Sequence, residues 1–155
     1  MKKLFILITA FVLLIASQAW ADWTLRLSSV SESQHYIKWK VVCTSDGSAL
    51  SATNLLALPG ARLLRIGQGE TLMFMKVSPG TGSIIPNTTI NITLSDAEQD
   101  ALWTETAIAE DAVSWHDMSD DLPNYIPVLG ALYLTLSDIG TAGDQVTLYF
   151  ISWRE

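Results

Sequence analysis

Cysteine is almost missing from this chain: Cys43 is the only one in 155 residues. A single thiol cannot close an internal disulfide, so the protein is not a stapled secreted scaffold and must be held by packing. Histidine is equally scarce, with His35 and His116 alone. Zinc draws three or four His or Cys ligands, and two histidines with one thiol make a poor set. No G-x-S-x-G elbow, P-loop, H-E-x-x-H or paired C-x-x-C occurs. Gly80-Thr81-Gly82 lacks the further glycine and the lysine that cradle a phosphate, and reads as a turn. Basic residues are missing over one long stretch, with no Lys or Arg between Lys76 and Arg154.

What is present begins with the N-terminus. Lys2 and Lys3 precede an apolar run from Leu4 to Ala16, and Ala19-Trp20-Ala21 places small residues where a signal peptidase reads them. The run is shorter than the roughly 20 residues of a spanning helix. Residues 1–21 therefore read as a signal peptide, with a domain over residues 22–155. The chain is expected to be exported, to the periplasm, the exterior or a particle, with no membrane span in the mature part.

The formal charge is −7, and losing Lys2 and Lys3 with the signal deepens it by two. Such a surface repels phosphate backbones, which argues against nucleic acid as a partner. The acids are also bunched. Asp96, Glu98, Asp100, Glu105, Glu110, Asp111, Asp117, Asp120 and Asp121 all fall in the stretch that has no basic residue. A solvated face, a cation site or a basic partner surface would each account for them.

Most of the mature chain alternates with period two, the mark of half-buried strands. Trp23, Leu25 and Leu27 form one apolar row. Ile37, Trp39, Val41 and Cys43 form another, with Tyr36, Lys38 and Lys40 on the wet side. Thr71–Ser78 is apolar on both faces, which suits a strand inside the packing. Ala61–Ile66 reads as a strand, and so does Ile90–Leu94 with its isoleucines inward. Ser95-Asp96-Ala97-Glu98 has the form of a capping box, predicting a helix of one to three turns from Asp96 that lays Leu102 and Trp103 on the sheet. Thr104–Asp121 reads as a long loop with partial helix. Leu132–Leu136 and Val146–Trp153 read as the arms of a hairpin, with Tyr133 opposite Tyr149 and Thr135 opposite Thr147. The expectation is an all-β fold: a single antiparallel β-sandwich of about seven short strands with one short helix.

Candidate chemistry is thin. His116, beside Asp117, has the makings of a general base, but Ser114 is too near in sequence to complete a triad by itself. Glu105 and Glu110 are candidates for a glycosidase pair only because nothing excludes them, and a sandwich of this size offers little room for a substrate groove. Asp117, Asp120 and Asp121 gather three carboxylates in the manner of a calcium loop without matching an EF-hand, so calcium is the one cofactor left open. Trp103, Trp115, Tyr133 and Tyr149 are the aromatic side chains that could contact a partner or stack on a glycan. No residue is assigned a catalytic role, and the chain reads as a non-enzyme.

From Gly67 to Tyr149 the chain resembles a diffuse family of small, β-rich phage and prophage proteins encoded among virion structural genes. The resembling pieces are Met75-Lys76-Val77-Ser78-Pro79-Gly80, Pro86 leading to Ile90-Asn91-Ile92-Thr93-Leu94-Ser95-Asp96, and Pro127-Val128-Leu129-Gly130 before Leu132-Tyr133-Leu134-Thr135-Leu136, followed by Val146-Thr147-Leu148-Tyr149. Trp39 followed by Thr44-Ser45-Asp46-Gly47 is similar to the family's first hairpin. The resemblance implies a structural or accessory protein that acts by surface contact, through a protein partner or self-association. A periplasmic or cell-surface glycan-binding module using exposed aromatic residues is the alternative.

Overall fold

The computed structural model describes residues 23–33, 35–61, 68–118, 126–129, 131–137 and 139–153. The expected signal peptide (residues 1–21) and the expected strand over Ala61–Ile66, apart from Ala61 itself, lie outside them. Ten strands are present. β1 (Thr24–Glu32), β2 (Tyr36–Thr44) and β3 (Leu50–Asn54) are followed by a 3-10 turn over Leu55–Ala57. β4 (Gln68–Pro79) is followed by a second 3-10 turn over Gly82–Ile84. Then come β5 (Ile90–Ser95), β6 (Ala101–Ile108), β7 (Ser114–Asp117), β8 (Ile126–Leu129), β9 (Tyr133–Leu136) and β10 (Gln145–Trp153).

The strands form two antiparallel sheets. One has six strands in the order β1-β2-β10-β4-β7, with β8 also pairing to β4; the other has four in the order β3-β9-β5-β6. β7 pairs with Phe74–Val77 and β8 with Gln68–Leu72, so both strands serve successive parts of one long edge. The all-β sandwich is as the alternation predicts, with more strands than about seven.

Alternation builds the core directly. β2 buries Ile37, Trp39, Val41 and Cys43, while Lys38 and Lys40 stay half-exposed. β10 buries Val146, Leu148 and Phe150 on its matching face. From the other sheet come Ile90, Ile92, Leu94, Trp103, Leu134 and Leu136, and all of these side chains join one cluster. Trp39 stacks on Phe150 with centroids 4.3 Å apart. Its indole N–H donates to Ser152 Oγ at 3.3 Å, so the buried donor is satisfied. Cys43 is fully buried, and desolvation pushes its thiol up to about 12.

Three expectations are corrected. The helix from Asp96 is a tight turn between β5 and β6. Asp96 Oδ1 accepts from the N–H of Glu98 at 3.1 Å and of Asp100 at 2.9 Å, while Gln99 takes a φ of 66°. A short acidic side chain bonding its own backbone competes with helix propagation, and here it closes a hairpin instead. The stretch Thr104–Asp121 is not a long loop: β6 continues through Ile108, and β7 follows.

The third correction concerns the last two strands. β9 pairs with β3 and β5, whereas β10 pairs with β2 and β4. Tyr133 therefore faces Ser95 and Asn54, and Tyr149 faces Lys40 and Lys76. The intervening loop crosses between the sheets. It buries Ile139, and it is tied to the end of β2 by Ser45 N–H to the Asp144 carbonyl and Gly143 N–H to the Ser45 carbonyl, each at 2.9 Å. Gly140 turns this loop at a φ of 119°, against the side chains of Asn87 and Asp144. Among the described residues no helix is long and apolar enough to cross a membrane.

Candidate functional site

The outer face of the six-stranded sheet gathers the described basic residues. Because β2 alternates with its apolar residues inward, Lys38 and Lys40 point outward. The register then lines up one row across four strands: Lys40 opposite Tyr149, Tyr149 opposite Lys76, and Lys76 opposite Trp115. Arg26 lies on the same side of β1, opposite Val42. These four are all the Lys and Arg residues among the described ones. Among the described side chains of β2, β10 and β4 there is no acid; Asp117 stands at the β7 end of the face.

The rings in this row carry ammonium groups. Lys76 Nζ lies 5.1 Å from the Tyr149 ring centroid and 5.6 Å from that of Trp115, and Lys38 Nζ lies 5.7 Å from Tyr149. Each such cation–π contact contributes about 0.5–1 kcal/mol at an exposed site. The contacts hold flexible lysines over rigid rings, so the face presents ordered positive charge on an aromatic bed. Trp115 is 59% exposed and Trp153, further along β10, is 43% exposed, with His35 stacked on it at 5.4 Å.

The aromatic candidates separate. Trp115 and Tyr149 come together in this row. Tyr133 belongs to the other sheet and is half-buried there. Trp103 is corrected as a contact residue: it is 3% exposed, part of the core, and offers no face to a ligand. Of the calcium candidates, Asp117 is exposed on β7, while Asp120 and Asp121 lie outside the described residues. No group of three or more His, Cys, Asp or Glu is placed to hold a metal among the described residues.

A second polar constellation sits where the edges of the two sheets meet. His116 Nδ1 lies 3.3 Å from Glu105 Oε2, and its Nε2 is 2.8 Å from Ser114 Oγ. Ser114 and His116 share one side of β7, and Glu105 reaches over from β6. The edge of the His116 ring packs against Trp103 at 5.9 Å. Hydroxyl, imidazole and carboxylate stand in relay order, and the arrangement joins the edge of one sheet to the edge of the other. A separate open cleft of about 560 Å³ lies between β1 and the start of β3, lined by Trp23, Leu25, Asp46 and Leu50 among others. Asp46 Oδ1 there is occupied by the Ser48 hydroxyl at 2.6 Å.

Lysines as ring partners are not legible without the strand order, because β2, β4, β7 and β10 are distant in sequence. The outward placement of Lys38 and Lys40 is. No family model matches the sequence, and no curated protein matches it. Among solved structures the chain is similar to that of tomato aspermy virus determined by X-ray crystallography, at 15% identity and a TM-score of 0.40 over 86% of this chain and 78% of that one. A likeness that distant carries no argument about function.

Proposed function

We propose that this chain is an exported, non-enzymatic contact protein that binds through the outer face of its six-stranded sheet. In this reading it is a structural or accessory subunit of the phage-like kind that its sequence resembles. One observation carries the reading: Arg26, Lys38, Lys40 and Lys76 converge with Tyr149 and Trp115 on a single face of an otherwise acidic molecule. Ordered cations over aromatic rings suit an anionic partner surface, since aromatic anchors supply contact area and charge supplies orientation. The test is fractionation of producing cells. The wild-type chain should co-sediment with a particle or envelope fraction, and the double variant Lys40→Glu/Lys76→Glu should remain soluble while keeping its circular dichroism. Equal distribution of the two would end the proposal.

The exposure of Trp115 and Trp153 on the same face favours one second reading, a glycan-binding module. Stacking on sugar should then depend on the rings. Trp115→Ala should abolish retention on an immobilised polysaccharide, with little response to salt.

A further inference from the structure

The charge pattern points to the partner. The four strands β3, β5, β6 and β9 contain no Lys or Arg, and the turn between β5 and β6 displays Glu98 and Asp100, both exposed, beside Asp96. The loop before β7 adds Glu110 and Asp111. The described cations are all on the opposite sheet. Among the described residues, then, basic side chains are confined to one sheet, while the exposed acids of the β5–β6 turn belong to the other.

We infer that the cationic face of the six-stranded sheet docks on the acidic β5–β6 turn of a second copy of this chain, head to tail. This rests on the contact reading above and names its partner. Two cationic faces meeting one another would repel, which disfavours a symmetric face-to-face dimer. Different surfaces on each partner make a heterologous contact, and such contacts propagate into rings or filaments. Four strand columns about 4.8 Å apart, each counted as nine residues at about 3.3 Å, together with the short β7, span roughly 600 Å², somewhat below the about 800 Å² per partner of a standard interface. Trp115, Tyr149 and Trp153 supply the apolar contact area, and Lys40 and Lys76 set the orientation.

The test is sedimentation velocity of the purified full chain with two charge-reversed variants. Variant one is Lys40→Glu/Lys76→Glu, and variant two is Glu98→Lys/Asp100→Lys. The wild type should associate with rising concentration, and at least tenfold more weakly at 300 mM than at 50 mM NaCl. Each variant alone should be monomeric, because like charges would meet. An equimolar mixture should associate again, since the reversed face of one then meets the reversed turn of the other while the native pair also remains. A wild type that stays monomeric at low salt, or a mixture that stays monomeric, overturns the inference. Co-sedimentation with a particle or envelope that is lost in variant one but kept in variant two would also overturn it, while leaving the contact reading standing. Loss of neither would remove both.

Discussion

Trp39 and Ser152 show how much one inward pair can carry. The indole is fully buried, stacks on Phe150 and has its N–H satisfied across the sheet by the Ser152 hydroxyl. Trp39→Ala should cost about 3–5 kcal/mol by opening the centre of the core, read as a lower urea midpoint with an unchanged m-value. Cys43 gives a pH signature. Burial raises its thiol from an ordinary value of 9.0 to about 12 in the fold. Below pH 9 both the folded and the unfolded chain hold the proton, and the group adds no pH dependence. As pH rises from 9 towards 12 the unfolded chain ionises first, so this contribution is lost over that window. The fall in stability across that window should be shallower in Cys43→Ala than in the wild type, measured by denaturation at fixed pH. The inward rows of β2 and β10 were legible at this scale, because alternation places each side chain on a face without knowledge of the neighbours.

Elements were legible where periodicity was strong and illegible where local chemistry competed. Ser95-Asp96-Ala97-Glu98 suits a helix start and a hairpin turn equally, and the left-handed Gln99 that decides between them leaves no mark in a glutamine. Gln99→Gly should stabilise the turn by about 0.5–1 kcal/mol by removing the Cβ clash at positive φ, seen as a raised thermal midpoint. The β6–β7 junction offers a further check. His116→Phe keeps a ring against Trp103 but removes the contacts to Glu105 and Ser114. It should cost about 1–2 kcal/mol and speed amide exchange in β6 and β7 ahead of the remaining strands. The separation of β9 from β10 is not legible in the sequence, because two alternating segments separated by a glycine-bearing loop satisfy the hairpin pattern whether they share a sheet or not. What decides is Ile139, buried between the sheets as the loop crosses.

For the whole molecule, fold class followed from composition and period, while the site depended on strand order. Lys40, Tyr149, Lys76 and Trp115 are scattered along the sequence and become neighbours only through the order β2-β10-β4-β7. Ionic strength should therefore act on association and leave folding nearly untouched, since the described cations are exposed or half-exposed and the core is apolar. Urea midpoints at 50 and 500 mM NaCl should agree closely for the monomeric variant Lys40→Glu/Lys76→Glu. That same strand order has a kinetic corollary. β10 lies between β2 and β4 yet follows both in the chain. Until it threads into place, each of those strands lacks a neighbour, and the larger sheet cannot close progressively as the polypeptide emerges. Non-local closure of that sort is slow, and it leaves the facing edges of β2 and β4 open until the final strand arrives between them.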